Sequence, residues 1–205
     1  MEIEVVVRDG VTALLAPAEC RRVLEAALEA AGAPGDGTVT LTLSDDAELA
    51  ALNASHMGKD GPTDVLSFPL LPPSAYPSHE GQDRAVRGAS DAGPGMDTPP
   101  DSDAEPGVLV RPGTEAKVTS AFVLPPGIGP HLGDIVVSVE RAIEQAETGR
   151  GGHAGDVRWD PTDELRLLIT HGALHLCGWD HGAPAEEAAM RALERRLLGL
   201  PEPET

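Results

Sequence analysis

The chain has 205 residues, 40% apolar and 2% aromatic, with two cysteines and 15 basic against 34 acidic residues, for a formal charge of −19. That length fits one domain whose modest core is filled by Leu, Val, Ile and Ala, and two thiols far apart in sequence, Cys20 and Cys177, give no disulfide framework and fit a reducing cytoplasm. No apolar run approaches the ~18 residues of a membrane span and no signal peptide opens the chain, so a cytoplasmic protein without a membrane partner is expected, while the charge argues against nucleic-acid binding by bulk electrostatics.

Residues 3–8 alternate and are β-branched, which predicts a strand. Residues 17–31 place Cys20, Val23, Leu24, Ala27 and Leu28 on one face and predict an amphipathic helix closed by Gly32. A second strand is expected at 38–43, with Val39, Leu41 and Leu43 on one side. Ser44 is the expected cap of a helix from 45 to about 53 that buries Leu49 and Leu52. Residues 63–68 read as a third strand, in which Thr63, Asp64 and Ser67 serve either turn and edge chemistry or substrate contact. Residues 72–119 are rich in Pro, Gly, Ser and Asp and lack hydrophobic periodicity. Burial there does not offset ordering entropy, so a disordered excursion is predicted, with His79 a lone surface histidine. A short strand at 121–124, His131 in a loop, the central strand at 134–138 and a helix at 139–148 follow. His153 falls in a glycine-rich loop.

Asp160 offers the next helix a cap, Pro161 its first residue, and Asp163 and Glu164 first-turn acids, ahead of an apolar stripe of Leu165, Leu168 and Ile169. His171 and His175 are four apart on this helix, so their rings project from one face, one turn apart. Gly178 permits a left-handed turn, after which His181 returns toward the same point. Three neutral imidazoles leave a tetrahedral zinc one open position for water, the arrangement of a catalytic rather than a structural site. One zinc ion per chain, held by His171, His175 and His181, is therefore expected, although imidazole also suits nickel, copper and iron. Cys177 lies off the histidine face and reads as packing. Asp180 is either a turn-forming acid or a carboxylate that orients a ligand imidazole, and Glu164, on the ligand-facing side of the helix, admits capping or the same orienting role. A last helix at 185–198 turns Met190, Leu193 and Leu197 to the core. The histidines and the glycine also match the metzincin protease pattern HExxHxxGxxH, but Gly172 stands where that pattern has its general-base glutamate. A metallopeptidase is thus the less favoured enzymatic alternative.

Three motifs, in order, resemble the YbeY family of metal-dependent endoribonucleases, the bacterial rRNA maturation factors. Residues 171–181 read HGALHLCGWDH against a signature close to HGxLHLxGxDH, residues 62–69 read PTDVLSFP without a break, and residues 132–138 fit LGDIxxS. The match spans the chain apart from the middle insertion and the extreme C-terminus. The resemblance implies a single domain over 1–205, interrupted at about 72–119. Its expected fold is α+β and zincin-like: a mixed four- or five-stranded sheet with packed helices, a buried metal-binding helix, and the strand at 63–68 antiparallel at the edge. It also implies single-strand-specific RNA cleavage in 16S rRNA 3′-end maturation and ribosome quality control, with the small ribosomal subunit or its assembly factors as partners. One departure stands out. Many members carry an arginine where this chain has Met57, which cannot neutralise a phosphate; His56 and Lys59 are the nearby candidates to replace it. A nuclease this acidic must gather positive potential near its metal or work inside a larger particle. The second option defines a non-enzymatic alternative, a ribosome-assembly factor whose zinc is mainly structural.

Overall fold

The computed structural model describes residues 1–82, 129–148 and 160–200. In chain order it runs β1 (Glu2–Val7), α1 (Pro17–Ala30), β2 (Thr38–Ser44), α2 (Asp46–Leu52) leading into a π-turn (Asn53–Met57), β3 (Val65–Pro69), a 3₁₀ turn (Pro73–Ala75), β4 (His131–Ser138), α3 (Val139–Thr148), α4 (Pro161–Leu176) and α5 (Pro184–Leu197). The strands form one sheet in the order β1-β2-β4-β3, with β3 antiparallel to β4 at the edge and the other pairs parallel. Parallel neighbours need a crossover, and α1 supplies it between β1 and β2. This is the mixed-sheet α+β, zincin-like arrangement that the sequence motifs imply.

Register explains where the core lies. Val5, Leu41, Ile135 and Ser67 stand side by side across the four strands. Since alternate side chains point to opposite faces, Ile3, Val39, Leu41, Leu43, Ile135 and Val137 share one face. They pack with Leu24 and Leu28 of α1 and Leu165, Ile169 and Ala173 of α4. The other face is thinner: Leu66 and Val136 meet Leu49 of α2, with Phe68 at the margin. Helix α4 is buried along most of its length, its apolar side chains against the sheet and α1 and its histidines at the margin. Leu165 and Ile169 have no exposed surface, and burying each contributes roughly 1.5–3 kcal/mol.

Three sequence expectations change. The cap of α2 is Asp45, whose carboxylate accepts from the Glu48 N–H at 2.9 Å. Ser44 is still paired with Ser138 in the sheet, and its hydroxyl donates instead to the Glu48 carboxylate that Arg8 also holds. His131 opens β4 rather than preceding it, because the ladder shifts register at Thr38–Val39 and lets His131 pair with Thr38; its Nδ1 lies 2.9 Å from the Thr38 hydroxyl. Residues 72–82, expected to begin a disordered excursion, pack against the fold: Tyr76 is buried, and His79 lies against Trp179 and Glu186 rather than alone at the surface. A buried ring and an imidazole supply there the burial that the surrounding composition lacks. The rest of the excursion, the 121–124 strand and the His153 loop lie outside the described residues. No helix among the described residues is long and apolar enough to cross a membrane.

Candidate metal centre

Helix α4 starts where the sequence caps it. The Asp160 carboxylate accepts from the backbone N–H of Thr162 (2.8 Å) and Asp163 (2.9 Å), and the Thr162 hydroxyl and these amides hold it below the usual carboxylate range. The sixteen-residue helix ends at Leu176, and just beyond it Gly178 takes φ = 83° while the Gly178 and Trp179 N–H groups close back on the carbonyls of His175 and Leu174. Between these ends His171 and His175 share a face, and the turn returns His181 to them. One donor nitrogen from each ring lies within 4.8 Å of the others.

The hydrogen bonds of the two helical rings assign their tautomers. His171 Nδ1–H donates to Glu194 Oε1 at 2.7 Å, and His175 Nδ1–H donates to the Trp179 carbonyl at 2.8 Å. With Nδ1 the donor in each neutral ring, both Nε2 atoms are the unprotonated, lone-pair nitrogens. Those two Nε2 atoms are 3.0 Å apart. Two lone pairs at that distance call for positive charge between them. Burial first, then the neighbouring His171, lowers the His175 imidazole to about 4, which keeps the ring neutral as a metal ligand must be. Three imidazole nitrogens gathered within 4.8 Å of one another therefore suit a tetrahedral cation of the kind that imidazole binds.

Gly172 has a packing reason to be glycine. It sits over the row containing Ile135 and Ser67, where a Cβ would lie 2.8 Å from Ile135 Cγ2 and 2.9 Å from Val65 Cγ2, while its carbonyl accepts the Ser67 hydroxyl at 2.8 Å. The position that holds the base in metzincins is here a contact between helix and sheet.

A cavity of about 430 Å³ opens beside His171 and His181, and Asp64, Glu164, Arg191 and Glu194 are in its wall. Arg191 pairs there with Glu187. Glu164 is thus brought to the ligand side, as its helical position implies. Asp180 is at the turn, but the carboxylate accepts from the backbone N–H of His181 at 2.7 Å; the carboxylate that meets one of the three imidazoles is Glu194. Sequence reasoning missed Glu194. The available signal was its place on the core-facing stripe of α5 with Met190 and Leu193, a position where an acid is rarely buried unless paired. Cys177 packs in the main core, its thiol pushed up to about 12 by burial. Met57 is exposed on the π-turn, and His56 rests edge-on against Phe68, which packs on the sheet face opposite α4. Neither of these, nor Lys59, is in the cavity wall.

Residues 11–200 match the model of a protein family described as Endoribonuclease YbeY. The chain is 35% identical over 180 residues to an endoribonuclease YbeY of Symbiobacterium thermophilum, covering 87% of this chain and 81% of that one. It is 33% identical over 203 residues to the endoribonuclease YbeY of Chloroflexus aggregans, covering 97% of each. Similarity to the endoribonuclease YbeY of Salinispora tropica is 36% identity over 172 residues, or 84% of this chain and 79% of the relative.

Proposed function

Because this chain belongs to the YbeY endoribonuclease family, we propose that it is a zinc-dependent hydrolase of single-stranded RNA, acting in 16S rRNA 3′-end maturation and ribosome quality control. The observation that carries the reading is the approach of the His171 and His175 Nε2 atoms to 3.0 Å with both Nδ1 atoms engaged elsewhere. His171, His175 and His181 would hold one zinc ion, which supplies a Lewis acid that polarises a phosphoryl oxygen and acidifies water. Glu194 fixes the His171 ring and raises its basicity as a ligand; the Trp179 carbonyl does the first of these for His175. Asp180 stabilises the turn that presents His181. Gly172 offers no base, so the proton of the attacking water would pass to the phosphodiester itself or to another residue such as Asp180, and the missing base weighs against peptide hydrolysis.

The cavity wall bears on substrate binding. Arg191 is its cation, and it is already paired with Glu187. Arg8, Arg141 and Arg166 are likewise spent on Glu48, Asp46 and Glu19. Rigid capture of phosphates by these four arginines is weak on these grounds, which favours a substrate presented within a small ribosomal subunit or by its assembly factors, in the cytoplasm and away from membranes. The same acidity supports one other reading, an assembly factor with a mainly structural zinc. A short single-stranded oligoribonucleotide separates the two. Cleavage that disappears on rigorous metal removal and returns with zinc is expected. Undiminished cleavage by metal-free protein defeats the metal mechanism, and binding to small-subunit particles without cutting naked RNA selects the assembly-factor reading.

A further inference from the structure

Residues 73–82 lie across the corner that carries the third histidine. Pro73 packs on Gly178, where a Cβ would come within 3.0 Å of the proline ring, and Gly81 lies so close to α5 that a Cβ would be 2.5 Å from the Glu186 nitrogen. Between these two contacts His79 stacks on the Trp179 indole, with ring centroids 3.9 Å apart and planes within 11°. Its Nε2–H donates to Glu186 Oε1 at 2.7 Å, and both side chains are almost wholly buried, at 6% and 10% exposure. The same Glu186 oxygen accepts the backbone N–H of Asp180 at 3.2 Å. The carbonyl of Trp179, in turn, takes the Nδ1–H of His175. His79 thus reaches the 179–181 turn twice, once through the indole face and once through a carboxylate that holds the turn's backbone.

We propose that His79 is a positioning residue for the metal centre: with Glu186 it clamps the Trp179–His181 turn, so that the Trp179 carbonyl meets His175 and His181 stays within reach of the helical pair. The inference rests on the three-histidine metal reading for its consequence, but its geometry exists without metal. A buried imidazole–carboxylate bond is costly to leave half made, and partners of ligand residues typically set metal affinity by 10–100-fold. A residue that only filled space would give a different result from one that holds the turn.

The test uses the full chain in two states. In metal-free protein, hydrogen exchange is followed at the amides of residues 179–181 and, as a reference, in β2 and β4. In the loaded state, zinc affinity is measured by competition with a chromophoric chelator. His79→Ala is expected to speed exchange at Asp180 while leaving the strands unchanged, and to weaken zinc binding about 10-fold. His79→Phe keeps the stack and His79→Gln keeps a donor for Glu186, so each is expected to restore part of the loss. Unchanged exchange at 179–181 in His79→Ala overturns the proposal, as does a rise shared equally by all strands with zinc affinity intact. Absence of zinc uptake by the unsubstituted chain sinks the metal reading instead, and faster exchange confined to 179–181 then still supports the clamp.

Discussion

On its sheet side α4 sets Gly172 against Ile135, Val65 and Ser67 with no room for another carbon, whereas on its cavity side it carries His171 beside Glu194 and a wall of polar groups. The first surface is close-packed and apolar, and small changes of volume are felt there. The second tolerates space but not a lost partner, because its charged and imidazole groups are desolvated. The sheet side fixes where the helix lies, and the cavity side uses that position. Substitutions on the two sides should therefore separate stability from metal binding.

The largest effect is expected from His175→Ala, which removes the more deeply set donor. Zinc affinity should fall by more than the roughly 10–100-fold typical of a ligand's supporting partner, while the metal-free protein keeps its melting temperature within a few degrees. Calorimetric titration with zinc and a thermal scan of the metal-free chain check both halves. A variant that unfolds without losing zinc affinity would break the contrast.

Proton concentration should act on the same ring. In the metal-free fold His175 titrates near 4, against about 6.5 when unfolded, so between those values the unfolded chain binds more protons. Stability then rises with pH: it is complete above about 6.5 and is lost as the pH falls toward 4. The upper bound from this ring is about 3 kcal/mol, read from urea unfolding of metal-free protein at a series of pH values. The dependence should be shallower in His175→Ala by this ring's share.

Glu194→Gln comes next. It keeps an oxygen for the His171 Nδ1–H but removes the charge, and the expected loss is about 10-fold in zinc affinity, toward the lower end for such partners. This residue also marks the limit of what the sequence discloses. The convergence of the three histidines was legible because helical spacing and a glycine turn dictate it, and the strands were legible from alternation. Glu194 and Glu186 were not, since their meaning depends on α5 packing beside α4, a contact with no local signature. His79 was hidden differently: it sits at the front of a stretch whose composition argues for disorder, and its partners are 100 and 107 residues away in sequence. Gly172 was legible as a missing base but not as a packing contact, because that contact depends on the register of β3 against β4.

For the sheet side, Gly172→Ala is expected to destabilise the fold by about 1–2 kcal/mol, the usual cost of overpacking. The helix gains propensity from alanine, so the measured loss is the clash less that gain. Zinc affinity should change by no more than a few-fold. Urea midpoints paired with chelator competition give both numbers. A tenfold loss of affinity at unchanged stability would mean that the two sides of α4 are not separable.

Cys177→Ala should have the smallest effect, and it tests a potential confusion between the sides. The thiol lies between His175 and Gly178 and is a chemically competent zinc donor, but only as thiolate. Burial pushes it up to about 12, and its side chain lies in the main core rather than with the three nitrogens. Replacing it removes a buried sulfur and should cost about 1 kcal/mol by the ordinary cavity penalty, with zinc affinity unchanged. Unfolded protein should react with a thiol reagent at neutral pH while the native chain does not. If affinity instead dropped together with His175→Ala, sulfur would belong to the donor set and the three-nitrogen site would have to be redrawn.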